Sequence, residues 1–143
     1  MLIGEHIHTL DDKNRLSLPA RFRRELGKSV VVTPGLDNCL FIFTEKEWKR
    51  LSGELAERSM LQSDNRSFNR FIFGQAAPSD IDNLGRILVP DYLKNHAGLK
   101  SKVALIGVQN RVEIWDKSSW AKYKQTVVKS ADTIAEKLGG LGV

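Results

Sequence analysis

The chain repeats itself, and the repeat limits the folds open to it. The stretch LDDKNRLSLP, residues 10–19, returns as IDNLGRILVP, residues 81–90. In each copy an Asp is followed four residues later by an Arg, and four further on by a Pro. At a spacing of 71, Asp11 falls on Asp82, Arg15 on Arg86, Pro19 on Pro90 and Gly27 on Gly98. One extra residue, Leu99, then moves the spacing to 72. Val31, Gly35, Asn38, Ile42 and Trp48 meet Val103, Gly107, Asn110, Ile114 and Trp120 at that spacing. A match that survives an insertion and keeps its prolines, glycines and tryptophans in order marks two copies of one supersecondary unit. The expected division is a first repeat over 1–50, a helical connector over 51–74, and a second repeat with a C-terminal helix over 75–143.

Each unit has the same order of expected elements. An alternating stretch such as GEHIHTL predicts a strand. A tight turn follows, with Asn14 in one copy standing where Gly85 stands in the other, the residue types that best tolerate positive φ. RLSLP and RILVP predict the second strand, so the pair is expected to be a β-hairpin. Pro19 and Pro90 suit the first helical position, and Gly27 and Gly98 the stop of a short helix. SVVVT with LFIF, and KVALIG with VEIW, predict a further strand pair. Thr44 with Glu47 predicts a capping box, and Asp116 a cap for a last helix with an apolar stripe of Trp120, Tyr123, Val127, Ile134 and Leu138. The connector, SDNRSFNRFIFGQAAPSD, predicts a short helix and a polar segment closing at Pro78. It is not a flexible Gly/Ser linker, so the halves are expected to pack rigidly. Mixed strand–helix units with hairpins give an α+β class.

Composition narrows the function. With 41% hydrophobic and 27% charged residues the chain is that of a globular protein. No segment approaches the roughly 18 apolar residues of a membrane span. The start, MLIGEHIHTL, lacks a basic leader and an apolar core, so a soluble, cytoplasmic protein is expected. The single Cys39 excludes an intramolecular disulfide and sits in the apolar run CLFIF, which suits a buried thiol. An enzyme needs a nucleophile, a base or a metal cluster. His6 and His8 share a strand face, but no third ligand follows at a recognisable spacing. Asp11 and Asp12 are adjacent and point apart, and no phosphate-binding glycine loop is present. Neither an enzyme nor a metal or cofactor is expected.

The net charge of +5 favours a polyanionic partner, weakly by itself. Its placement says more. Residues 10–30 hold Lys13, Arg15, Arg21, Arg23, Arg24 and Lys28 against Asp11, Asp12 and Glu25. The Asp-x-x-x-Arg pair has two readings. In the structural one, Asp11 orders its own turn and Arg15 is its ion-pair partner. In the functional one, a loop bearing Lys13 and Arg15 beside a helix with three arginines fits a phosphate backbone and the bases beneath it. The second copy is weaker in charge: Lys13 is replaced by Leu84 and ARFRR by DYLKN, while Arg86 is kept.

These doubled motifs, with LPARFR after the first and GRILVP in the second, resemble the MraZ family over nearly the whole chain. That family consists of bacterial DNA-binding transcriptional regulators whose gene opens the division and cell-wall cluster. The resemblance implies an AbrB/MazE-like swapped-hairpin, double-split barrel with peripheral helices, its two repeats joined as a pseudo-dimer. It further implies ring-like homo-oligomers, association with the nucleoid, and binding to direct repeats in duplex DNA upstream of the family's own operon. The motif carries over to Asp11 and Arg15, and to Asp82 and Arg86. Asn14 departs from the glycine usual in the family, in a backbone region Asn also adopts. An antitoxin-like or RNA-binding role on the same fold is the rival reading. No aromatic RNA-binding signature is present, and Trp48, Trp115 and Trp120 lie in patterns that fit core.

Overall fold

The computed structural model describes residues 1–140, so the last three residues of the expected second repeat lie outside the described residues. In chain order the elements are β1 (Leu2–Thr9), β2 (Arg15–Ser17), α1 (Ala20–Leu26), β3 (Ser29–Pro34), β4 (Leu40–Thr44) and α2 (Glu45–Ala56). They continue with α3 (Ser63–Gly74), β5 (Ala77–Asp80), β6 (Arg86–Leu88), α4 (Asp91–His96), β7 (Lys102–Gln109), β8 (Val112–Asp116) and α5 (Lys117–Leu138). The class is mixed α and β, with antiparallel pairing throughout the two sheets.

The strands pair across the repeats. A six-stranded sheet runs β1-β7-β8-β4-β3-β5, and β2 pairs with β6 in a separate ribbon. Exchanging each strand for its counterpart in the other repeat leaves both orders unchanged, so an approximate two-fold axis relates the halves. It passes between β4 and β8 and through the facing pair Leu16 and Ile87.

Two expectations are corrected. The strands flanking each turn do not form a hairpin ladder: next to the first turn the β-pairing is the single bridge Leu10–Leu16, and β2 takes its ladder partner from the second repeat. That exchange places Leu16 and Ile87 together in the core, which a local hairpin would not do. The barrel implied by the resemblance is also not closed among the described residues. β1 and β5 remain edges of the large sheet. Pro78, expected to close the connector, lies inside β5, where an edge strand has no need of the missing N–H.

The core is shared. Leu16, Leu18, Phe22, Val30, Val32, Leu40 and Ile42 are buried in one cluster with Ile87, Val89, Leu93, Val103, Leu105, Val112 and Ile114. The other face of the large sheet is covered by α2 and α3 over β3 and β4, and by the start of α5 over β7 and β8. There Phe43 lies 5.8 Å from Trp48, and Trp115 lies 5.3 Å from Trp120. Cys39 is buried here, and burial pushes its thiol far above the ordinary range.

The repeat alignment shifts inside β3 and β7. Val30 faces Thr44 and Val103 faces Asp116, so these two valines correspond at a spacing of 103 − 30 = 73. The equivalences of Val31 with Val103 and of Gly35 with Gly107 are therefore each off by one; Pro34 faces Leu40 as Gly107 faces Val112. Five of the six residues of β3 are buried, on both faces, so no alternation marks its register.

Caps follow the sequence with small changes. Pro19 and Pro90 stand one residue before their helices rather than inside them. Gly27 and Gly98 adopt positive φ just beyond α1 and α4. Thr44 Oγ1 accepts the Glu47 amide at 3.0 Å, but the Glu47 carboxylate turns to Arg50 instead of closing the box. Along α5 the apolar stripe meets the sheet only near its start, and Ile134 and Leu138 are exposed.

Candidate nucleic-acid interface

Both turns are built by the same set of bonds. Asp11 Oδ1 accepts the amides of Lys13 at 2.9 Å and Arg15 at 2.8 Å, while Oδ2 accepts Arg15 Nε at 3.0 Å. Asp82 Oδ1 accepts the amides of Leu84 and Arg86 at 2.9 Å each, and Oδ2 accepts Arg86 Nε at 2.9 Å. The Asp needs its Arg four residues on because one short carboxylate then reaches two turn amides and the returning guanidinium together. In each Asp the Arg amide is the largest cause holding the carboxyl below its ordinary range, and the guanidinium adds to it. Asn14 at φ 61° and Gly85 at φ 77° provide the left-handed residue that brings the chain back.

The clasp and the display of the arginines are compatible. Asp engages the guanidinium through Nε, and among the described residues the Nη groups of Arg15 and Arg86 have no hydrogen-bond partner. The carboxylate fixes the plane of the guanidinium, and both arginines are half-buried at the rim of the turn.

The ribbon brings the two arginines together. Arg15 faces Leu88, Leu16 faces Ile87, and Ser17 faces Arg86. Residues opposite one another share a face, as do residues two apart. Arg15, Ser17, Arg86 and Leu88 therefore lie on one side, with Leu16 and Ile87 buried on the other. Arg15, Arg86 and Leu88 also border one concavity, together with Ser79 and Asp82.

Each turn is braced by the other repeat. Leu18 donates its amide to the Gly85 carbonyl at 2.9 Å, and Val89 donates to the Asn14 carbonyl at 2.8 Å. Arg23 of α1 lies against Gly85, so closely that a Cβ there would stand 2.6 Å from its Cδ. At the corresponding place across the axis, Lys94 of α4 lies 3.4 Å from Asn14 Oδ1, and Asn14 Nδ2 donates to Asp91.

The other basic candidates separate. Lys13 is exposed in the first turn, and Arg21 reaches toward Gly4 of β1, 3.6 Å from where a Cβ would be. Arg24 is exposed in the last turn of α1, where a cation suits the helix dipole. The sequence suggests that the second turn lacks arginine neighbours. Arg23 overturns this, because the exchange of strands carries α1 onto the other repeat's turn. Sequence reasoning also missed the side-chain role of Asn14, with Asp91 and Lys94 as its partners. The available sign was Ala20 in one copy standing against Asp91 in the other. His8 Nδ1 lies 2.7 Å from the Ser17 carbonyl and His6 packs edge-on against Phe22, so each has a packing role. No cluster of metal-ligating side chains is found among the described residues.

Fold and site together define a class: a two-repeat α and β protein whose strand exchange sets a pair of clasped arginines on one exposed ribbon. The family model described as "MraZ protein, putative antitoxin-like" matches residues 1–71 and again 72–138. Among its relatives are proteins called transcriptional regulator MraZ from Heliobacterium modesticaldum, 45% identical over 138 residues and 96% of each chain, and from Alkaliphilus metalliredigens, 44% identical over the full length of both. A third, with the same description, comes from Alkaliphilus oremlandii, 45% identical over the full length of both. The chain belongs to the MraZ family.

Proposed function

We propose that the protein is a transcriptional regulator that binds duplex DNA in a sequence-specific way through the β2–β6 ribbon. The observation that carries this is the placement of half-buried Arg15 and Arg86 on one face of the ribbon, each held at Nε with its Nη edge without a partner among the described residues. A two-stranded antiparallel ribbon fits the major groove, and guanidinium edges suit bidentate contact with guanine O6 and N7. Asp11, Asn14, Asp82 and Gly85 shape the turns. Lys13 and Arg23 contact phosphate beside the first and second turn, with Arg21 and Arg24 adding to the positive surface. The relatives' description as transcriptional regulators supports the same role.

The target is direct repeats upstream of the protein's own division and cell-wall operon, bound at the nucleoid in the cytoplasm. One ribbon is a small recognition surface, so several subunits in a ring-like homo-oligomer supply the affinity. The exposed side chains of Met60, Leu61, Ile134 and Leu138 are apolar surface available for that association. Phe68, Phe71, Ile72 and Phe73 contribute less, since Ile72 is buried and Phe71 and Phe73 already pack on His96 and Trp48.

Selection of bound duplexes from random DNA, with footprinting on the upstream region, tests the proposal. One enriched motif that is protected in the footprint is expected. Preference for structured RNA over duplex DNA in direct competition would instead support the antitoxin-like or RNA-binding reading.

A further inference from the structure

We infer that Leu88 is a specificity residue of the ribbon, reading the C5-methyl group of a thymine next to the base contacted by Arg15. This rests on the DNA-binding reading above. A single exposed leucine means little on most surfaces. The register selects this one. Leu88 is the direct cross-strand partner of Arg15 and lies two residues from Arg86 on the same strand face. It is 55% exposed in the concavity it shares with both arginines.

Its counterpart in the first repeat is Ser17, at the same spacing of 71 that joins Arg15 to Arg86. The core makes no demand for an apolar side chain here, because Leu16 and Ile87 already fill the buried side of the ribbon. The arginines, in contrast, determine what can approach. A partner that engages both guanidinium edges must present hydrogen-bond acceptors to them and an apolar group beside them, where Leu88 lies. In the major groove the thymine methyl is the apolar group displayed beside base acceptors. Leucine against that methyl excludes water from both surfaces. The pseudo-symmetric position carries a hydroxyl, so the preference belongs to one half of the contacted element and gives the ribbon a direction along the duplex.

The test replaces each thymine of the selected duplex, one at a time, by uracil, which removes only the methyl. Affinities are measured for the parent and for Leu88→Ser, the residue found at position 17. At one thymine the parent should lose about four-fold, the worth of one buried methyl. Leu88→Ser should bind the thymine and uracil duplexes equally, and Leu88→Met should restore the difference. An unchanged uracil penalty in Leu88→Ser would overturn the inference. So would a scan with no sensitive thymine, or a change of oligomeric state in Leu88→Ser, which would mean that a second copy covers the residue. A parent with no preferred sequence, or Arg15→Ala selecting the same sequence, would instead refute the DNA-binding reading itself.

Discussion

At the first turn the left-handed residue is Asn14, whose side chain donates to Asp91 of the other repeat. At the second it is Gly85, and Arg23 occupies the space a side chain would need. The Asp-centred bonds inside the two turns match to within 0.1 Å in each contact. What differs is what the opposite helix delivers: a long arginine onto a bare glycine, or a lysine and an aspartate onto an asparagine. The same Asp-centred bonds are therefore set in unequal electrostatic surroundings, and the inequality arises both from the turn tip, Lys13 against Leu84, and from what the partner repeat delivers.

The largest effect expected is on DNA binding. Arg15→Ala and Arg86→Ala should each remove about 1–3 kcal/mol per engaged site, a loss that recurs in every subunit bound. Gel-shift titration should lose the specific complex for both while melting changes little. Arg86→Ala should be nearly as damaging as Arg15→Ala, because Arg23 supplies the second turn with a cation. An Arg15→Ala protein that melts early and still shifts DNA like the parent would leave the clasp as the arginine's only role.

Next in size is packing. Phe22 and Leu93 are corresponding residues of α1 and α4, both buried in the shared core. Phe22→Ala should cost about 3–5 kcal/mol and Leu93→Ala about 2–5 kcal/mol in denaturant unfolding. Each should give one cooperative transition. Two separated transitions would mean that the repeats do not share a core.

Exchanging the turn residues probes the comparison directly. Gly85→Asn should destabilise modestly, by about 1 kcal/mol or less, since the new Cβ pushes aside the flexible end of Arg23 and Asn tolerates the φ. Asn14→Gly should cost less and leave DNA affinity closer to the parent. Equal thermal melts for the two variants would contradict the crowding assigned to Arg23.

A smaller effect depends on pH. Asp11 and Asp82 both have carboxyls held below the ordinary carboxylate range by the Arg15 and Arg86 amides and guanidinium groups. A depressed carboxyl stabilises the fold above its unfolded value, and that contribution is lost as pH falls through the folded value. Both turns should therefore loosen together below about pH 4, with amide exchange of Arg15 and Arg86 rising in step. Asp11→Asn should remove the acid dependence from the first turn alone.

The smallest change expected is in salt dependence. Lys13→Ala should reduce the slope of log affinity against log salt by about 1, and Leu84→Lys should raise it by about the same amount. Titrations at several salt concentrations would show whether the two turn tips meet phosphate alike.

The sequence by itself determined the repeat, the turns and the buried setting of Cys39 and Trp115. Asn14 and Gly85 were legible because few residue types adopt positive φ. The Asp-x-x-x-Arg clasp was legible because its partners lie within five residues, close enough for geometry to follow from chain length. Only the tertiary structure decided which strand β2 and β6 each pair with. An alternating strand specifies the face it buries, but its edge hydrogen bonds are the same for any partner. The exchange between repeats, and with it the meeting of Arg15 and Arg86 on one ribbon, was therefore not readable locally. The same holds for Arg23, whose destination depends on where α1 is carried, and for β3, whose uniformly apolar residues leave the register to hydrogen bonding with its neighbours.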